Sequence, residues 1–170
     1  MSETSPLDRL ALPADAWPHV ELVPKARLAA GAVTAQVAHG KDCSVILATR
    51  SPGYHSKPHK HAAEQLNYVL SGQAWLFVED HGFLGGAGSV SRIPANAVHW
   101  AWVVGDEPLT VLEIHTPPLT GDAPVHAGRV SLCTTDEEEA AVRHIATEWP
   151  DDFDAAPIEE HWVGRSYAAE

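Results

Sequence analysis

Between Ala32 and His115 the sequence is interrupted every eight to twelve residues by a cluster of turn-forming residues. The clusters are Gly40-Lys41-Asp42, Ser51-Pro52-Gly53, Ser71-Gly72, Glu79-Asp80-His81-Gly82, Gly85-Gly86, Pro94-Ala95-Asn96 and Gly105-Asp106-Glu107-Pro108. A helix of ordinary length does not fit between such breaks, whereas strands of four to eight residues do. The intervening runs at 44–49, 65–70, 73–78, 89–93, 99–104 and 109–115 are rich in Val, Ile, Leu, Trp and Phe. They predict an all-β sandwich or barrel. The segment Glu79-Asp80-His81-Gly82 reads as a hairpin turn, with Asp and Gly supplying the positive φ.

The 170 residues suit one compact body with appendages. Residues 1–31, with Pro6, Pro13, Pro18 and Pro24, read as an extended arm, and 32–118 as the barrel. Residues 119–170 form an acidic tail, because from Asp136 onward 11 acidic residues face only 2 basic ones. Thr135 and Glu138 make a capping box that predicts a helix over 136–148, ending before Trp149-Pro150. Beyond it Phe153, Ile158, Trp162 and Tyr167 are apolar anchors for packing on the body or on a neighbouring subunit.

A net charge of -12 argues against nucleic acid or an anionic membrane as partner, since both are polyanions. No run of 18 apolar residues occurs, so no membrane-spanning helix is expected. The first residues lack the basic start and apolar run of a secretory leader, and Cys43 and Cys133 stand apart. The expectation is a reduced, cytoplasmic setting.

The chemistry concentrates at His59-Lys60-His61. Residues two apart on a strand share a face, so both imidazoles can point into one interior. Gln65 follows four residues after His61, and His99 starts a later strand just after a Pro-containing turn. Three neutral imidazoles and an amide oxygen suit a borderline divalent metal with open positions for water or substrate. His19, His39, His81, His126, His144 and His161 read as surface or hydrogen-bonded structural residues.

Taken together these residues resemble the cupins. The first cupin motif, G-x5-H-x-H-x3,4-E-x6-G, is matched by Gly53, His59, His61, Gln65 and Gly72. The second, G-x5-P-x-G-x2-H, is matched by Gly88, Pro94, Asn96 and His99. Gln65 replaces the usual Glu, and Asn96 replaces a turn Gly, a mild change because Asn tolerates the left-handed conformation. The resemblance implies a single jelly-roll-like β-barrel holding one divalent transition metal (Fe, Zn, Ni or Mn) through His59, His61, Gln65 and His99. Glu64 is the alternative ligand to Gln65 if a bulge turns it inward. The resemblance also implies pairing into a homodimer, for which the arm or the tail would supply contacts.

A Gln in the ligand set leaves the metal its full charge, which favours Lewis-acid work on a carboxylate, carbonyl or enolate oxygen. Alternation places Asn67 inward and Tyr68 outward. Glu113 and His115 share one face of the last strand, pointing either into the cavity, where they can move protons, or outward on an edge strand. Tyr54 and His55 either line the mouth or serve the loop; Trp75, Phe77, Trp100 and Trp102 read as core or subunit contact. The leading expectation is a metal-dependent enzyme of isomerase, cyclase or lyase type acting on a small oxygen-rich substrate. The alternatives are a mononuclear non-haem iron dioxygenase and a non-catalytic metal-holding sensor.

Overall fold

A computed structural model describes residues 26–30, 32–119, 148 and 150–167. Nine strands run β1 (Ala26–Ala30), β2 (Val33–His39), β3 (Ser44–Arg50), β4 (Glu64–Ser71), β5 (Gln73–Val78), β6 (His81–Gly86), β7 (Val90–Ile93), β8 (His99–Val104) and β9 (Leu109–Thr116). One helix, α1 (Ala156–Val163), follows. A six-stranded sheet in the order β1-β2-β3-β9-β4-β7 faces a three-stranded sheet in the order β6-β5-β8, and every pairing is antiparallel. This is the all-β barrel that the punctuation predicts.

Each expected run became a strand, two of them with identical limits: Gln73–Val78 and His99–Val104. Three strands went unanticipated. β1 pairs with β2, so the sheet extends into what reads as an arm. β2 (VTAQVAH) is built of small residues, and β6 (HGFLGG) looks like turn material because of its glycines. Gly82 is demanded by packing, because a Cβ there would lie 2.7 Å from Cγ of Trp162. The hairpin between β5 and β6 is tighter than expected, with Val78 paired to His81. Its positive φ falls on Glu79 rather than on Asp80 or Gly82. The Glu79 carboxylate offsets that strain by accepting the Val98 N–H at 2.8 Å.

Alternation divides the six-stranded sheet. Val37, Ile46, Ala48, Leu109 and Val111 turn inward and make the barrel core with Ala74 and Val103 from the facing sheet. Outside the three-stranded sheet lies a second core of Phe77, Trp100 and Trp102. Against it pack Phe153, Ile158, Val163 and Tyr167 from the tail, so this part of the tail closes over its own barrel. The helix over 136–148 lies outside the described residues except for Glu148, which exchanges backbone hydrogen bonds with Lys60 in an extended bridge. α1 arises where no helix was expected. Eight residues are too short to hold a helix alone, so its stability is tertiary. It has Pro157 in its first turn and ends at Gly164, whose φ of 82° closes a bond to Glu160 O.

Candidate metal centre

The two motifs that carry the histidines are joined by backbone before any side chain is considered. His59 N–H bonds to His99 O at 3.0 Å, His99 N–H to His59 O at 2.8 Å, and Asn96 N–H to His61 O at 2.8 Å. Asn96 adopts the left-handed conformation expected of it, with φ 63°. His59 and His61 flank Lys60, as alternation requires, and both enter the cavity between the sheets.

Each of the three imidazoles is oriented by a carbonyl of its own strand or turn. Nδ1 of His59 donates to Lys57 O at 2.8 Å, that of His61 to Ala63 O at 2.8 Å, and that of His99 to Ala97 O at 2.9 Å. A neutral imidazole has one hydrogen, so in a neutral ring this pattern leaves Nε2 as a lone pair. Burial holds His59 down to about pKa 4 and His99 well below the usual imidazole value, so both are neutral near pH 7. Nε2 of His99 is buried and has no hydrogen-bond partner. Nε2 of His61 lies 3.0 Å from Oε1 of Gln65. Gln65 Nε2 donates to Asn67 Oδ1 at 2.7 Å, which aims the amide oxygen at the imidazole. The His61 Nε2 and the Gln65 Oε1 thus form a nitrogen–oxygen pair of the kind a divalent cation can draw on.

Ring centroids of His99 lie 4.3 Å from those of His59 and 4.9 Å from those of His61, while His59 and His61 are 6.2 Å apart. Among the described residues no three His, Cys, Asp or Glu donors are drawn together at metal-binding geometry. The donor set nevertheless fits a borderline divalent metal: neutral imidazoles with fixed Nδ1–H bonds, one orphaned Nε2 and an amide oxygen turned towards them.

Glu64 faces away and pairs with Arg92 on the outer surface, so the alternative of Glu64 in place of Gln65 is corrected. Asn67 points inward and Tyr68 outward. Glu113 and His115 both turn into the cavity. The edge-strand alternative fails because β9 lies between β3 and β4. His115 sits 5.0 Å from His61 between ring centroids; burial lowers it to about pKa 4, and its Nδ1 has no partner. Tyr54 lines the cavity, whereas His55 turns to the opposite side and bonds Glu159 of α1 at 2.6 Å.

Sequence reasoning missed Arg50. It is the last inward residue of the Ser44, Ile46, Ala48 alternation, and its guanidinium pairs with Glu113 inside the cavity. Burial alone would raise the Glu113 carboxyl, but the adjacent Arg50 charge outweighs it and holds the group below the usual carboxylate range. The cavity has a volume of about 580 Å³. Its polar end carries the imidazoles and Glu113, and its other end is walled by Val33, Ala48, Leu109 and Val111.

Residues 46–115 match the family described as Cupin domain. Auxin-binding protein T92 of Nicotiana tabacum is 33% identical over 101 residues, 51% of this chain and 52% of that protein. The chain therefore spans about half the length of the curated relatives it matches. Oxalate decarboxylase from Bacillus subtilis superposes over 55% of this chain and 28% of its own, with TM-score 0.51 and 25% identity. An RmlC-like cupin from Shewanella frigidimarina superposes over 55% of this chain and 84% of its own, with TM-score 0.50 and 17% identity, a likeness of fold. With both motifs in place on a two-sheet barrel, the chain belongs to the cupin superfamily.

Proposed function

We propose that this cupin is a metal-dependent enzyme that binds a small oxygen-bearing organic molecule and moves a proton on it. The observation that supports this most directly is the set of three cavity imidazoles, each with Nδ1 spent on a backbone carbonyl, and the buried Nε2 of His99 left without a partner. His59, His61 and His99 would hold one divalent metal, with Gln65 as oxygen donor. When bound, such an ion supplies a Lewis acid that polarises a substrate oxygen. The Bacillus oxalate decarboxylase that the chain resembles carries Mn(II) centres.

The chain's own residues divide the remaining work. Asn67 fixes the Gln65 amide. His115 is neutral, buried beside His61 and equipped with an unpartnered Nδ1, so it is the group placed to take or return a proton. Glu113 is engaged by Arg50, so its part is to hold that guanidinium rather than to shuttle protons. The apolar wall excludes water from the ligand's non-reacting portion.

A second reading, a metal-holding receptor without turnover, is favoured by the auxin-binding proteins among the relatives. Metal analysis of the purified chain, followed by product and oxygen-uptake assays over small hydroxy and keto acids, separates these two readings from each other and from an iron dioxygenase. Product formed without oxygen uptake supports the proton-transfer enzyme, and oxygen-coupled turnover on iron supports a dioxygenase. Stoichiometric binding without product supports the receptor, and absence of metal overturns all three.

We also propose that the protein pairs as a homodimer, and the apolar outer face of the six-stranded sheet supports this. Register sets Leu47, Leu112, Tyr68 and Val90 in one row, and Val45, Ile114 and Leu66 in the next. Tyr68 is 45% exposed, although solvent is a poor environment for such a row. The tail, by contrast, spends Phe153 and Tyr167 on its own barrel.

A further inference from the structure

Among the described residues, Arg50 is the cavity-lining cation paired with Glu113, and the metal reading leaves it without a task. Its side chain is 17% exposed, it pairs with Glu113 through Nη2, and it stands over the Tyr54 ring at 5.8 Å. Its Nε is buried and has no hydrogen-bond partner. An arginine presents five donors in a rigid fork, and a buried donor left without an acceptor is costly. A purely structural ion pair would be expected to satisfy that group.

Two further observations set the chemistry of whatever completes it. The chain carries a net charge of -12, yet Glu113 is the only acidic residue lining the cavity among the described residues, against Arg50, Lys57 and Arg92. Arg92 is a rim residue already paired with Glu64. A cavity of local positive sign inside an acidic protein favours an anion.

Position along the strands then fixes which part of a ligand meets Arg50. Arg50 pairs in register with Leu109, whereas Glu113, to which its guanidinium reaches, pairs with Ile46, two inward positions nearer the imidazoles. The guanidinium therefore stands at the boundary between the apolar wall and the polar end of the cavity.

Building on the metal-centred reading above, we propose that Arg50 receives the carboxylate of a small amphipathic acid whose apolar body lies along Val33, Ala48, Leu109 and Val111. Glu113 is the positioning residue that keeps the guanidinium at that boundary. Pairing with one Glu113 oxygen and with the Tyr54 side chain still leaves donors of the Arg50 fork for a second carboxylate, the geometry to which arginine is suited.

The test uses the full chain, both as purified and after chelator treatment, with phenylacetate and its neutral analogue phenylacetamide as probes. In wild type, calorimetry is expected to show phenylacetate bound at least about tenfold more tightly than the amide. Arg50→Met should erase most of that preference while leaving metal content and far-UV circular dichroism unchanged, and Arg50→Lys should retain only part of it. Because a bound metal attracts carboxylates itself, the change caused by the substitution is the readout. Nitrogen-15 spectra of the wild-type Arg50 side chain give a second readout that does not depend on any variant folding. The Nε–H resonance should shift on adding phenylacetate and stay still with phenylacetamide. An unmoved resonance, an equal affinity for the two probes, or a preference that survives in folded Arg50→Met overturns the proposal. Arg50-dependent preference in a chain that binds no metal would sink the metal reading and leave this one standing. Metal bound without that preference does the reverse.

Discussion

His59 and His99 are separated by forty positions in the chain, yet they exchange both backbone hydrogen bonds, at 3.0 and 2.8 Å. Their ring centroids stand 4.3 Å apart. Main-chain pairing thus sets the spacing of two ligand candidates, and substituting either side chain leaves the pairing intact.

His99→Ala is accordingly expected to fold and to lose metal. In wild type, a divalent ion present at a hundred times its dissociation constant adds about 2.7 kcal/mol to stability. For a domain of this size that raises the melting temperature by about 5–10 °C. The variant should show no such rise, and metal analysis should find far less than one equivalent. Full metal content in a His59→Ala, His99→Ala double variant would remove these residues from the ligand set.

Gln65→Glu should fold, because Asn67 can turn its amide to donate to the new carboxylate instead of accepting from Gln65 Nε2. The added charge should tighten metal binding by about tenfold or more while slowing turnover, since a carboxylate lowers the effective charge on the ion. Competition with a chelator measures the first effect and steady-state rates the second. Unchanged affinity would show that position 65 does not touch the metal.

Glu159 joins α1 to the barrel. Its carboxylate accepts from Trp100 Nε1 at 2.9 Å and Tyr167 N–H at 2.7 Å, and it pairs with His55. Glu159→Ala strands these buried groups and should cost about 3 kcal/mol, a melting temperature about 6–12 °C lower. Burial raises this carboxyl's pKa, but the bonds from His55, Tyr167 and Trp100 outweigh it and leave the folded value lowered. The carboxylate's contribution is therefore complete above its unfolded value of 4.5 and is lost as acidification carries the pH through the lower folded value. Wild-type melting temperature should fall more steeply than that of Glu159→Gln as pH drops below about 5. Parallel pH curves would mean that the carboxylate's charge contributes nothing to the docking.

The outer sheet face offers a direct test of pairing. Light scattering of the full chain should give a dimer, and Tyr68→Glu, which places a charge in the middle of the row Leu47, Leu112, Tyr68 and Val90, should give a monomer. Removing everything after Thr135 is a poor alternative, because it would strip Phe153, Ile158 and Tyr167 from the second core. A monomeric wild type rules the pairing out.

Much of this protein is written locally. Turn residues set the strand limits at Gln73–Val78 and His99–Val104, and the two-residue period sends His59 and His61 to one cavity and separates Gln65 from Glu64. What the chain does locally cannot reveal partners that lie far along it. Arg50 lies one residue past the run expected at 44–49, and only register with β9 brings its guanidinium to Glu113, sixty-three positions away. α1 has no strong helical pattern, and it forms because Phe77, Trp100 and Trp102 need cover and Trp100 Nε1 needs an acceptor. β6 reads as turn until the Trp162 ring, eighty residues on, explains why Gly82 must lack a Cβ. Alternation and turn chemistry act within a few residues, so sequence alone determined the barrel and its histidines. Buried charges and close contacts draw their partners from wherever the chain returns, so only the tertiary structure decided the cation in the cavity and the helix on its back.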